Sequence, residues 1–298
     1  MSRKPASRTP RAHRALRAPR PSPAKPPAPR WLDDLADDLV DAGSREHYRD
    51  AALYDYEYRR RRADVTFYRQ LARQRLGESG SILELGAGTG RVTLPLARDG
   101  HHIVAVDQSP AMLRRLRERV DAERAAVRPR LTVVEGDLRT FRVRGRFPLV
   151  IAAFNVLEHL YTRSELDACL RQLVAHLEPG GAFVFDVQLP DLAWLLRDPT
   201  KRWAKTRFTD PTTGRAMFYS TSHDYDPVSQ IVMIRLYYDP VDGVGPSHVV
   251  KLSQRKFFPA ELEALVAHAG LRVVARYGDF GFGPLDASAD SQVLVCEV

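Results

Sequence analysis

A chain of 298 residues, 44% hydrophobic and 28% charged with a formal net charge of +8, is long enough to bury one large core or two modest ones. No apolar run approaches the roughly 18 residues of a membrane span, and no start segment carries the continuous ~7 to 15 apolar residues of a secretory signal. Two cysteines, Cys169 and Cys296, are too few for a disulfide framework, so a reducing, cytoplasmic setting is expected.

The charge is uneven along the chain. Residues 1 to 30 hold nine lysines or arginines, no acid and eight of the 21 prolines, whereas the remainder carries 36 basic against 37 acidic groups. Proline cannot sustain a helix or supply ladder donors, so this basic tail is expected to be disordered. Its charge suits nucleic acid or an anionic membrane, but no aromatic is interleaved for stacking on bases, and nucleic acid is not the expected partner. Its Arg-rich, acid-free composition fits a transit peptide, against which the prolines argue.

Residues 31–80 read as helices: Trp31 to Val40, an aromatic and arginine-rich stretch from Tyr48 to Arg62, and Ala63 to Leu76, ended by Gly77. Residues 81–190 then alternate. Strands are expected at 81–86, 102–107, 130–135, 148–154 and 182–188, with helices at 89–99, 109–123 and 164–177. Alternation of this kind builds a doubly wound α/β domain, a parallel sheet covered by helices. Residues 191–258 change to polar/apolar alternation, with strands at 218–225, 231–238 and 248–258 separated by Asp226-Pro227 and Asp242-Gly243 turn signals. This is an antiparallel insertion after the fifth strand, whose open edges suit a homodimer. In residues 259–298, a helix at 259–269 and strands at 271–277 and 291–297 complete the core sheet.

The densest chemical signal is Glu84-Leu-Gly86-Ala87-Gly88-Thr-Gly90, directly after the apolar strand Ile82-Leu83-Glu84-Leu85. Glycine removes the Cβ that would hold a ligand away from the backbone. Asp107 closes the next strand, where a carboxylate can accept from ribose hydroxyls. The third glycine comes one residue too early for a dinucleotide loop, and no lysine follows in the phosphate-loop pattern. The site therefore suits a nucleoside without phosphate.

These residues resemble the class I S-adenosylmethionine-dependent methyltransferases of the small-molecule type, over roughly residues 80 to 187 plus the closing strands. Asp137 with Leu138, Asn155 after the fourth strand, and Leu177-Glu-Pro-Gly180-Gly181 leading into the fifth follow in that family's order. The resemblance implies a Rossmann-like seven-stranded sheet whose last strand is inserted antiparallel, S-adenosyl-L-methionine as cofactor, and an acceptor lid in the β insertion. It further implies cofactor contacts from Glu84, Gly86, Ala87, Gly88, Gly90, Asp107, Gln108, Met112, Asp137, Leu138 and Asn155, with Asp137 on the adenine amine. Tyr54, with Asp55 and its neighbour Tyr58, resembles a pair that relatives fold over the methionine moiety, where an aromatic face suits a sulfonium.

The implied activity is in-line methyl transfer to the amine or hydroxyl of a small-molecule acceptor. A hydroxyl needs a base, for which His159, His223 and Tyr225 are candidates, and Arg255 is a candidate partner for an acidic acceptor. Glu158 and His159 are adjacent rather than at metal-ligand spacing, so no metal is assigned. The alternatives are a nucleic-acid or protein methyltransferase recruited by the tail, or a non-catalytic cofactor sensor. Base-amine methyltransferases carry an Asn or Asp followed by two prolines and an aromatic, whereas Val156-Leu157-Glu158 follows Asn155 here.

Overall fold

The computed structural model describes residues 30–298, with side chains from residue 38 onward, so the expected disordered tail lies outside the described residues apart from Arg30. Helix α1 (Arg30–Arg45) leads through a 3-10 turn (Glu46–Tyr48) to α2 (Ala51–Tyr58) and α3 (Ala63–Leu76). The helix expected over 48–62 starts later because the Asp50 carboxylate caps a new one, accepting from Ala52 N at 3.1 Å and Leu53 N at 2.9 Å.

The core follows as β1 (Ser81–Leu85), α4 (Thr93–Arg98), β2 (His102–Asp107), α5 (Pro110–Asp121), β3 (Leu131–Glu135), β4 (Phe147–Ala152), α6 (Arg163–His176) and β5 (Leu177–Gln188). Then come α7 (Leu192–Leu195), the strands β6 (Trp203–Thr209), β7 (Ala216–Asp226), β8 (Ile231–Pro240) and β9 (His248–Arg255), and finally α8 (Pro259–His268), β10 (Arg272–Tyr277) and β11 (Ser291–Glu297). One sheet has the order β10-β11-β5-β4-β1-β2-β3, with β1 parallel to β2 and β4, and β11 antiparallel to β5. This is the seven-stranded, last-strand-reversed sheet that the sequence implied. Its strands are apolar on both faces because both are covered. Leu83, Leu85, Phe183 and Phe185 pack with α6 and α8 on one side, and Ile82, Ile103 and Val184 pack with α3, α4 and α5 on the other.

The second sheet, β6-β7-β8-β9, is antiparallel throughout. Alternate residues of β8, Val232, Ile234, Leu236 and Tyr238, form one buried face against Leu195, Tyr48 and Leu53, so this sheet rests on the N-terminal helices. Helix α1 lies along β9: Ser253 Oγ donates to Val40 O at 2.7 Å, and a Cβ on Gly43 would sit 2.7 Å from Ser253 N. Glycine is what permits that approach.

Three further differences from the sequence reading have a clear cause. Strand β6 was not expected, because it is an edge strand exposed along most of its length and interrupted at Ala204, whose φ is +58°. The helix expected at 89–99 contracts to α4, since Thr89–Val92 are spent on the turn out of the glycine loop. Strand β5 begins at Leu177 rather than 182, pairing Leu177 with Phe147 before the register shifts. Among the described residues no helix is long and apolar enough to cross a membrane. Both cysteines are buried and free.

Candidate functional site

At the carboxyl ends of β1, β2, β3 and β4 lies a cleft of about 580 Å³, the place where open α/β sheets receive ligands. Of the residues singled out in the sequence, it brings together Tyr54, Gly86, Gly88, Asp107, Gln108, Met112, Asp137, Leu138 and His159. All but Tyr54 on α2 and Met112 on α5 lie at a strand end or in the turn that follows one.

The glycines divide the work of the loop. A Cβ on Gly86 would lie 2.4 Å from Val156 Cγ2, and one on Gly90 would lie 2.4 Å from Leu116 Cδ1, so these two let the loop pack against the protein. A Cβ on Gly88 would meet no protein atom within 4 Å and would project into the space of the cleft that Gly88 lines. Its φ is +56°, which any other L-residue adopts at a cost of about 1 to 2 kcal/mol. Gly88→Ala is therefore expected to remain folded, with a modest loss of stability, and to bind S-adenosylhomocysteine at least tenfold more weakly. Calorimetric titration beside a thermal melt separates the two effects.

The Asp107 carboxylate accepts from Gly88 N and Ser109 N, both at 2.8 Å, one on each oxygen. Burial pushes its carboxyl up, opposed by these backbone donors. Asp137 is held below the usual carboxylate range by Arg139, whose Nε donates to Oδ1 at 2.9 Å, and Arg139 also lines the cleft. The two acids, Asp107 and Asp137, suit ribose hydroxyls and an adenine amine, while of the arginines in the lining Arg139 is paired with Asp137 and Glu165 and Arg45 with Asp41, and Arg49 and Arg114 complete the set.

Four expected contacts stand behind the cleft rather than in its lining. Glu84 is 2% exposed, accepts from Thr93 Oγ1 at 2.6 Å and is pushed up to about 7 by burial. Ala87 is buried, its N–H donating to Val106 O at 3.0 Å and tying the loop to β2. Gly90 makes the close approach to Leu116 described above. Asn155 occupies a left-handed turn with φ +62°, directly after Phe154 at φ +70°. Two such residues in succession are strained unless the surroundings fix them. Asp186 does so: its Oδ1 accepts from Phe154 N at 2.8 Å and from Tyr68 Oη at 2.6 Å, and its carbonyl accepts from Asn155 N at 3.2 Å.

That turn delivers Phe154 to the cleft wall, with its ring 4.8 Å from Tyr58 and the guanidinium carbons of Arg61 and Arg91 at 4.5 and 5.0 Å. Helix α2 closes this side. Tyr54 lies 4.7 Å from Tyr58 and 6.0 Å from Tyr48, giving an aromatic wall suited to a cation. Asp55 points the other way and fastens α2 to the glycine loop, accepting from Thr89 Oγ1 at 2.6 Å and Arg115 Nε at 3.0 Å.

The three candidate bases separate. His159 lines the cleft, is hydrogen-bonded to Tyr48 Oη at 2.6 Å, and is lowered to about 4 by burial, then by His47 and Lys256, so it is neutral at physiological pH. His223 lies elsewhere, stacked on Trp194 at 3.9 Å and donating from Nε2 to Trp194 O at 2.6 Å. Tyr225 is two residues further along β7 and packs against the second sheet's core, outside the lining of the cleft. Arg255 is engaged by Glu261 at 2.6 Å. Among the described residues no three His, Cys, Asp or Glu side chains gather as a metal site.

A second cavity of about 410 Å³ shares Arg49 and Tyr54 with the cleft. Its walls are acidic and aromatic, with Glu46, Asp50, Glu57 and Asp210 beside His47 and Tyr238. Glu46 is paired with Lys251, Asp50 caps α2 and Asp210 accepts from Thr212 N at 2.7 Å and Thr213 N at 3.2 Å, which leaves Glu57, accepting from Tyr238 Oη at 2.6 Å and pushed up to about 7 by burial. His47, 4.0 Å from Glu57, is lowered to about 4 by burial. The sequence reading missed His47, Tyr48, Glu57, Phe154 and Asp186. The one signal available for them was the i, i+4 spacing of Tyr54 and Tyr58 around Glu57, which puts two rings on one helix face.

Residues 82–181 match a family model described as a methyltransferase domain. Over 235 residues the chain is 28% identical to dTDP-3-amino-3,4,6-trideoxy-alpha-D-glucopyranose N,N-dimethyltransferase of Streptomyces venezuelae, covering 75% of this chain and 90% of that one. Among solved structures, the CcbJ methyltransferase of Streptomyces caelestis superposes with a TM-score of 0.70 at 28% identity, covering 84% of this chain and 97% of that one. S-adenosylmethionine-bound CalS10, an amino pentose methyltransferase from Micromonospora echinaspora, shares the fold with a TM-score of 0.61 at 20% identity, covering 82% and 94%.

Proposed function

The chain is a class I S-adenosylmethionine-dependent methyltransferase, and on that premise we propose that it methylates the amine nitrogen of a small-molecule acceptor, an amino sugar or a similar amine. The cofactor contacts are Asp107 on the ribose hydroxyls, Asp137 on the adenine amine, the Gly86–Gly88 backbone along the nucleoside, and Tyr54 at the sulfonium end. When bound, S-adenosylmethionine supplies an electrophilic methyl carbon for in-line displacement. The protein's part is chiefly alignment, which in well-oriented systems is worth roughly 7 to 11 kcal/mol.

The observation that favours an amine over a hydroxyl is the acidic cavity meeting the cofactor cleft at Tyr54 and Arg49. A carboxylate there pairs with an ammonium group through a charge–charge attraction that a neutral hydroxyl does not offer. With its carboxyl near 7, Glu57 is matched to take the ammonium proton at neutral pH, freeing the lone pair for attack. His47, neutral at that pH, is the second acceptor within reach of Glu57. The β insertion, residues 191–258, is the lid over this acceptor site, contributing Phe208, Asp210, Met217 and Tyr238. A relative that dimethylates an amino sugar supports the same reading.

The test is S-adenosylhomocysteine formation across paired acceptors that differ only in amine against hydroxyl. Turnover on amines alone is expected, and equal turnover on the hydroxyl partner would overturn the reading. Tight cofactor binding with no turnover on any amine would point instead to a sensor. For the enzyme on its amine, kcat/KM is expected to rise as pH rises through about 7, where Glu57 loses its proton. Glu57→Gln is expected to lower kcat/KM by about 100-fold or more and to remove that limb of the profile.

A further inference from the structure

A third cavity, of about 620 Å³, shares Tyr54 with both the acidic cavity and the cofactor cleft. Its charge is the reverse of the acidic cavity's. Eight of its lining residues are arginines, brought from the link between α2 and α3, from α3, α4 and α5 and from the turn after the glycine loop, and Asp55 is its one acid. Six of the eight are partly neutralised. Arg61 and Arg91 share the buried Asp64, Arg69 takes Asp99, Arg98 takes Glu123, and Arg115 and Arg119 share Asp55, with Glu118 also on Arg115. Arg59, which lies over the Tyr56 ring at 3.5 Å, and Arg62 form no ion pair among the described residues. Eight guanidiniums against five carboxylates leave three positive charges in excess. Arg119 bears part of that shortfall: burial lowers its guanidinium, Asp55 stands 3.4 Å away, and its Nε and Nη2 make no hydrogen bond among the described residues.

We propose that this cavity binds a small, multiply charged phosphate, and that the bound anion strengthens cofactor binding. Guanidinium forks converge on it from several segments, which matches the tetrahedral oxygens of a phosphate, whereas a planar carboxylate is filled by one fork in its own plane. The volume is that of a site for one small molecule rather than a groove for a polymer. The link to the cofactor runs through Thr89, which stands between Gly88 and Gly90. Thr89 O accepts from Arg119 Nη1 at 2.9 Å, and Thr89 Oγ1 donates to Asp55 at 2.6 Å. Arg115 reaches Asp55 and Glu118 through Nε and Nη1, so its Nη2 is uncommitted, like Nε and Nη2 of Arg119. An anion taken up on these donors neutralises both arginines without displacing them from Asp55 or Thr89, and the glycine loop is held more firmly from behind. By linkage, each ligand then raises the affinity of the other by the same factor. The acceptor and its amine play no part in this inference.

The full chain is titrated calorimetrically with inorganic pyrophosphate at constant ionic strength, with and without saturating S-adenosylhomocysteine. One site is expected, about threefold or more tighter when S-adenosylhomocysteine is present. The doubly substituted Arg62→Glu, Arg98→Glu protein is expected to lose about tenfold or more in pyrophosphate affinity. Both positions are exposed, so its thermal melt, and its S-adenosylhomocysteine affinity measured without the anion, should stay close to those of the parent. Arg207→Glu, on β6 and outside the lining of this cavity, should leave pyrophosphate binding unchanged. Unchanged pyrophosphate binding in the double variant, or an equal loss in Arg207→Glu, would overturn the site. An S-adenosylhomocysteine affinity that saturating pyrophosphate leaves unaltered would overturn the coupling. A short single-stranded oligonucleotide of mixed sequence that binds more tightly than pyrophosphate, and is lost in the same double variant, would make the cavity part of a nucleic-acid surface and overturn the small-anion assignment.

Discussion

Asp107→Asn is expected to weaken S-adenosylhomocysteine binding by about 30- to 100-fold, a loss of about 2 to 3 kcal/mol. Each Asp107 oxygen already accepts one backbone N–H, from Gly88 or Ser109, and still has lone-pair capacity for a ribose hydroxyl. An asparagine can accept on one side only. Its NH₂ must face either the Gly88 or the Ser109 donor, so the substitution sets donor against donor as well as removing the charge. A pH signature accompanies the loss. Because burial raises the Asp107 carboxyl, the parent should lose affinity as pH falls toward that raised value, above the range of an ordinary aspartate, whereas the variant should show no such slope. Parent-like affinity in the variant would remove the nucleoside from this cleft.

The second large effect concerns stability. Glu158 and Lys256 form an ion pair whose side chains are 0% and 1% exposed, with Nζ 2.7 Å from Oε2. Lys256 Nζ also donates to Gln188 Oε1 at 2.9 Å and Gln254 Oε1 at 3.1 Å, and Glu158 Oε1 accepts from Gln188 N at 3.0 Å. The pair thus joins the end of β4, the end of β5 and the second sheet. Lys256→Met is expected to destabilise the protein by about 3 to 5 kcal/mol in chemical denaturation, because a buried carboxylate is left uncompensated. Adding Glu158→Gln should recover much of the loss. Burial already raises the Glu158 carboxyl despite its partner, so in the folded state it holds its proton more tightly than in the unfolded chain. Its contribution therefore becomes more unfavourable as pH rises above about 4.5, and without Lys256 this trend steepens. The single variant's deficit should accordingly be smaller at pH 5 than at pH 8. A deficit below about 1 kcal/mol at every pH would show that the pair is not buried as described.

The core sheet and its glycine loop were legible because their causes are local. Ile82, Leu83 and Leu85 are apolar as a doubly covered strand must be, and the loop glycines stand where the backbone turns left-handed. Strand β6 was illegible because Trp203–Thr209 lies mostly exposed at a sheet edge and buries too little to force an alternating pattern. His223 and His159 looked alike as candidate bases. What separates them is that one strand faces Trp194 while a turn 111 residues away from Tyr48 presents the other to its hydroxyl. The acidic cavity was invisible for a related reason: its walls come from residues 46–57, 208–217 and 238–250, each unremarkable alone and brought together only when the second sheet settles on α2.

The back-to-back left-handed residues Phe154 and Asn155 have a consequence for how the molecule is completed. An unfolded chain avoids that geometry, and it is held only once Asp186 stands in place beside it, contributed by a strand that comes later in the sequence. This part of the cleft wall therefore depends on β5, and a chain in which that strand has not docked lacks it. Cofactor then acts as a selector of finished molecules. At a hundredfold excess over its dissociation constant, a cofactor that binds only the folded form adds about 2.7 kcal/mol to native-state stability.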